Sequence, residues 1–225
     1  MPQGGSLART HDAEPGLPRG RSSLPASEVS AAQRLRLITA TVSVVADVGF
    51  RTATVADIVR AAKVSRAAFY QHFADKDACL RAASAHGWGL LVGSVRSATR
   101  ELPPGTEPED ELRAGLRAYL RFLAAEPAFT RIFYVEMPGA GPHAWPDIEA
   151  AQRQFAELNR AWHQHALPQR PGWPRVPFEA YLAVGGATTQ LVRTCVREDR
   201  TAELPDLEET LVALHLAMLA ARPWE

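Results

Sequence analysis

The chain has 225 residues, 46% hydrophobic and 22% charged, with a formal net charge of zero. That length corresponds to about one to two domains with room for a sizeable core, and the composition is that of an ordinary soluble globular protein. No apolar run approaches bilayer length, since the richest, around Val42 to Val48, is broken by Ser43 and Asp47. The polar, proline-rich N-terminus has no apolar stretch behind its arginines, so no secretory leader is expected and the location is expected to be cytoplasmic. Cys79 and Cys195 form no metal spacing and fit buried thiols of a cytosolic protein. The charge is unevenly spread: residues 27–86 carry eight Lys or Arg against five acids, whereas the remainder beyond residue 86 is net acidic. A mildly basic N-terminal part on an acidic body fits a small DNA-reading domain joined to one of another kind.

Residues 1–26, rich in Gly, Pro, Ser and Arg without apolar periodicity, read as a disordered extension. From Ser27, a potential cap, Leu35, Ile38, Val42 and Val45 recur at helical spacing up to Gly49. A short helix runs from Val55 to about Ala62, with Thr54 and Asp57 in the Thr-x-x-Asp arrangement of an N-terminal cap. Ser65 caps another of one to two turns to Phe73, and Asp75 caps a longer one to about Thr99 with Leu80, Ala83, Leu90, Leu91 and Val95 on its apolar side. Beyond the proline-rich turn 101–108, helices are predicted at Glu109–Ala125, Pro127–Val135, Trp145–His165, Pro177–Arg197 and Pro205–Ala221. No alternating strand pattern or internal repeat intervenes, so the fold class is all-α.

Two short helices joined by a three-residue turn, residues 54–73, have the geometry of a helix-turn-helix whose second helix enters the major groove. Phe69 and Phe73, four apart, would face inward, leaving Arg66, Ala67, Tyr70 and Gln71 outward. Arg66 and Gln71 have donors suited to base edges, and small Ala67 lets the helix approach the groove. Ser65, at the helix start, together with Tyr70, His72 and Lys76, would serve phosphates. The plain alternative is that Tyr70, His72 and Phe73 are only core aromatics of a helical bundle.

The run Gly49 to Val59, followed by Ala61 to Asp77 with its Val-Ser-x-x-x-Phe-Tyr-x-His-Phe-x-x-Lys core, resembles the TetR family of repressors over Arg34 to Leu80. The resemblance implies an all-helical homodimer, each subunit with a three-helix DNA-binding head and a larger helical body that binds a small molecule. By position it implies phosphate contacts at Thr54, Ser65, Tyr70, His72 and Lys76, and base-reading positions at Arg66, Ala67 and Gln71. Two positions depart from the family. Lys63 stands where the turn usually has glycine, so either this lysine takes a positive φ or the turn differs. Ala67-Ala68 replaces a common Gly-Thr and removes one hydroxyl contact.

The body is less explicit. Its aromatic surplus is read either as core or as the lining of an apolar effector cavity, with Phe122, Phe129, Phe133 and Phe155 as candidate walls and Thr188 or Thr189 as a polar anchor. His163 and Gln190 are further candidate polar groups. His163 and His165 lie on different helix faces, no His or Cys pair has metal spacing, and no catalytic constellation stands out, so neither metal, cofactor nor enzymatic activity is expected. Gly87 and Gly89 flank Trp88 without a phosphate-loop context, pointing to close helix packing or a kink. The expected domains are the extension 1–26, a DNA-binding head 27–76 and an effector and dimerisation body 77–225. Dimerisation is expected through the small-residue face Ala183 to Ala187 and the stripe Leu207, Leu211, Leu214 and Met218. The function expected is a repressor that binds a near-palindromic operator in double-stranded DNA and is released by a small hydrophobic effector, with the helix from Asp75 as lever. The rival is an architectural or cell-division protein that uses the same head without an effector.

Overall fold

A computed structural model describes residues 5–10 and 25–221 and contains no strand among them. The helices are α1 (Ala26–Val48), α2 (Val55–Ala62), α3 (Arg66–His72), α4 (Lys76–Arg100), α5 (Pro108–Ala125), α6 (Pro127–Arg131), α7 (Met137–Gly139), α8 (Trp145–Ala166), α9 (Phe178–Arg197) and α10 (Glu208–Leu219). They follow the predicted all-α order with local differences. α1 starts one residue before Ser27, behind Pro25, and has no side-chain cap. The helix expected to run through Val135 instead passes into a π turn, Ile132–Glu136. There the Met137 N–H bonds back five residues to Ile132, next to Pro138, which has no N–H to offer. Likewise Thr201–Leu207 is a 3₁₀ turn around Pro205, and α10 begins only after it.

The chain divides into two compact units, the first made of residues up to Gly87 with 126–145, the second of 88–125 with 146–225. The expected boundary at 76/77 differs from this division. The first half of α4 belongs to the first core because Cys79 and Leu80 are fully buried there and the Thr41 hydroxyl lies 3.0 Å from Cys79 Sγ. Leu37, Ile38, Val42, Val45, Ile58 and Phe69 complete that core, whereas Leu35 and Leu90, expected on apolar faces, are exposed.

Segment 126–145 is the structural partner of the head. Phe129 is fully buried against Gly87, where a Cβ would overlap the phenylalanine ring. That gives Gly87 the close-packing role expected of it, while Gly89 has nothing nearby. Residues 5–10 are also seated, which corrects the expectation of disorder for that stretch; residues 1–4 and 11–24 lie outside the described ones. The Glu126 carboxylate accepts from Ser6 N (2.8 Å), Ser6 Oγ (2.6 Å) and Leu7 N (2.9 Å), and Leu7 itself is buried.

In the second unit, Ala156, Ala180, Tyr181, Val184 and Leu219 form a buried cluster joined by Trp162, Phe178, Leu214 and Met218. The stripe assigned to a dimer contact is therefore largely internal: Leu211 is fully buried and Leu214 and Met218 pack on this cluster. Arg117 grips Glu208 through Nε and Nη2, and Arg113 pairs with Glu209, tying α5 to α10. On α9, Leu182, Ala183 and Gly186 remain exposed.

Candidate functional site

The helix-turn-helix is built by three local devices. Thr54 and Asp57 close a capping box at the start of α2: Asp57 N donates to Thr54 Oγ1 at 3.2 Å, and Thr54 N donates to Asp57 Oδ2 at 3.2 Å. The Thr54 hydroxyl also donates to Asp57 Oδ2 at 2.6 Å, which leads the causes that hold this carboxyl below its usual range. At the other end, Lys63 takes φ 53° and ψ 39°. Of the two alternatives at this glycine position, the lysine adopts the positive φ and the turn is preserved. Its N–H reaches Arg60 O while Val64 N–H reaches Val59 O, the paired bonds of a Schellman stop. Ser65 Oγ then accepts from Ala68 N at 3.1 Å and starts α3.

Phe69 and Phe73 are buried on one side of α3, and Arg66, Ala67, Tyr70 and Gln71 are exposed on the other, as the spacing predicted. The Arg66 guanidinium lies 5.8 Å from the Tyr70 ring centroid, and its Nη2 sits 3.5 Å from the phenol oxygen. This contact holds the long arginine side chain on the outward face and reduces the freedom it must lose on binding.

Three predicted phosphate residues are placed differently. The Thr54 hydroxyl proton is committed to Asp57. Lys76 Nζ donates to Phe50 O and Ala53 O, both at 2.9 Å, so its three protons are largely spent holding the loop before α2. His72 has its Nε2 buried and unpartnered, and desolvation, followed by the charge of Arg34, holds its pKa below the usual histidine value. Of the residues predicted to contact DNA, Thr54, Ser65, Arg66, Ala67, Tyr70 and Gln71 are exposed, and His72 and Lys76 are half-buried. Sequence reasoning missed Glu136, whose carboxylate accepts the Phe50 N–H at 2.9 Å from the π turn. No local pattern signals a partner 86 residues away.

Within the second unit lies a cavity of about 280 Å³ walled by α4, α5 and α8, including Leu112, Leu116, Tyr119, Phe155, Asn159 and Trp162. Of the six predicted ligand residues only Phe155 lines it. Phe129 and Phe133 belong to the first unit and stack on each other, ring centroids 5.9 Å apart. Phe122 and Thr189 are half-buried elsewhere, and Thr188 is fully buried with its hydroxyl donating to Val184 O at 2.9 Å. His163 is likewise internal, its Nδ1 2.9 Å from the Tyr181 hydroxyl and its ring stacked on Trp173. The missed residues were partly legible, since Phe155, Asn159 and Trp162 follow one another at i, i+4, i+7 along α8.

Residues 37–83 match the family model described as bacterial regulatory proteins, tetR family. They form a TetR-family helix-turn-helix head. Among curated proteins the chain is 30% identical to the A-factor receptor protein of Streptomyces griseus, over 60% of this chain and 47% of that one. It is also 30% identical to the HTH-type transcriptional regulator BetI of Cronobacter sakazakii, over 57% of each. The chain therefore spans about half the length of the curated relatives it matches. Among solved structures it is similar to the fatty acid degradation regulator FadR of Bacillus halodurans, with TM-score 0.72 and 19% identity over 92% of this chain and all of that one. FadR of Bacillus subtilis, solved with stearoyl-CoA, gives TM-score 0.72 and 16% identity over 82% of this chain and 98% of that one. At these identities the structural likeness establishes the TetR-like fold beyond the head. No helix among the described residues is long and apolar enough to cross a membrane.

Proposed function

We propose that this protein is a transcriptional repressor that reads operator DNA with the outward face of α3 and is released by a small hydrophobic molecule held in its body. The observation that carries this reading is the division of α3 into a buried Phe69/Phe73 side and an exposed Arg66/Ala67/Tyr70/Gln71 side, the arrangement a recognition helix needs in the major groove. The TetR-family head and the regulators among its relatives support the same assignment. Two copies, joined through the exposed α9 residues Leu182, Ala183 and Gly186, would set two recognition helices about 34–36 Å apart on a near-palindromic site. The effector weakens DNA binding to the extent that it prefers the conformation less suited to DNA. The rival architectural role calls for a solid body, and the 280 Å³ cavity counts against it.

Selection of duplexes from a random pool by the full-length protein tests the reading. The expected product is a two-fold repeated half-site whose enrichment disappears in the Arg66→Ala, Gln71→Ala double variant. A pool that emerges without a shared sequence would leave only nonspecific binding and sink the repressor assignment.

A further inference from the structure

The cavity in the second unit combines an aromatic wall with one unmet polar group. Tyr119 and Phe155 face each other with ring centroids 5.3 Å apart. Phe155 is also held against Gly185, where a Cβ would approach its ring to 3.2 Å. Trp162 completes the wall, and its indole N–H is already paired with Pro108 O at 2.7 Å, so this residue offers the cavity apolar surface only. Among these groups stands Asn159. It lines the cavity, is only 6% exposed, and its Nδ2 has no hydrogen-bond partner. A buried amide group left unpaired forfeits its hydration without return, and buried side-chain polar atoms are nearly always satisfied. A leucine, branched in the same way and with as many side-chain heavy atoms, would carry no such deficit at this position.

We infer that the cavity is built for a small aromatic molecule bearing one neutral hydroxyl that pairs with Asn159. This rests on the reading of the cavity as the effector site. Size sets one bound, because 280 Å³ lies at the small end of ligand cavities. Shape sets another, because planar rings fit against Tyr119, Phe155 and Trp162 in offset or edge-on contact. The polar group follows from the amide itself. Its oxygen accepts and its nitrogen donates, and it can turn end for end; a hydroxyl, both donor and acceptor, satisfies whichever end faces the cavity. A carboxylate beside Asn159 would lose its hydration against a neutral amide, and of the charged lining residues Arg96 is exposed to solvent while His165 lies 3.8 Å from Glu111.

The test uses 4-ethylphenol and 4-ethyltoluene, which differ by a hydroxyl in place of a methyl group, titrated calorimetrically into the full-length protein. The phenol is expected to bind about fivefold to tenfold more tightly after correction for their difference in transfer from water. Asn159→Leu is expected to abolish that preference while retaining the hydrocarbon, and Asn159→Ser serves if the leucine variant does not fold. Equal corrected affinities in the unaltered protein overturn the Asn159 inference and leave the effector cavity standing. Binding of 4-ethylbenzoate tenfold tighter than the phenol also overturns it, in favour of an anionic ligand. If none of the three compounds binds, the effector reading of the cavity itself fails.

Discussion

The Lys76 ammonium donates to the Phe50 carbonyl at 2.9 Å and lies 4.6 Å from the centre of the same residue's ring. Phe50 is held from the opposite chemical side as well, since its N–H donates to Glu136. The loop ahead of α2 is therefore clamped by a cation from α4 and an anion from the π turn, and Thr54, which starts α2, sits at its end. A lysine that the motif marks for DNA is built into the head.

Separate readouts distinguish the two roles. Lys76→Met should lower unfolding free energy by about 2 kcal/mol, because two half-buried loop carbonyls, of Phe50 and Ala53, lose a charged donor. Arg66→Ala should leave stability within about 0.5 kcal/mol and cost about 1–3 kcal/mol on a selected operator, with little effect on random DNA. Urea unfolding and fluorescence anisotropy on the same preparations report both. An unmoved urea midpoint for Lys76→Met, with one unit lost from the salt dependence of DNA binding, would return Lys76 to the phosphates.

Gly87 gives a test of the packing between α4 and segment 126–145. Gly87→Ala places a methyl group into the Phe129 ring and is expected to cost about 1–3 kcal/mol by overpacking. Phe129→Leu in the same chain should recover part of that loss, the coupling expected of touching residues. Strictly additive losses in thermal or urea unfolding would show that the two side chains do not meet.

The seated N-terminal stretch makes its own prediction. Glu126, 7% exposed, loses three hydrogen bonds when residues 1–10 are removed. Such a truncation should destabilise the protein by about 1–3 kcal/mol. Amide exchange supplies the local check: the Leu7 N–H should be protected in the full chain and unprotected in Glu126→Ala. Equal exchange in both would mean that residues 5–10 do not hold this position in solution.

His215 on α10 predicts acid sensitivity. It is fully buried, its Nδ1 lies 2.7 Å from Leu211 O, and desolvation pushes its pKa down to about 4. The folded form thus stays neutral where the unfolded chain, with an ordinary value near 6.5, takes up a proton. The unfolded state binds more protons between these values, so this stabilisation is present above pH 6.5 and is lost as pH falls toward 4, by about 3 kcal/mol in all. His215→Leu should flatten that part of the stability profile in urea titrations run from pH 7 to pH 4. An unchanged slope would assign the acid sensitivity to other groups.

What the sequence determined by itself is whatever depends on near neighbours. Helix order, the Thr54–Asp57 box, the Ser65 cap and the in-and-out division of α3 all arise from bonds and periodicities spanning one to four residues, and each was readable from spacing. Spacing alone leaves Lys63 open between a positive φ and a different turn, and the folded chain adopts the former. Tertiary structure alone decided what those residues are free to do. Lys76 and His72 look alike as exposed donors in a motif, yet the first is spent on Phe50 and Ala53 and the second turns its Nε2 inward. Aromatic surplus likewise does not distinguish a core from a cavity wall. Phe129 fills the notch at Gly87, whereas Phe155 borders open space, and that difference depends on which helices from distant parts of the chain pack beside them.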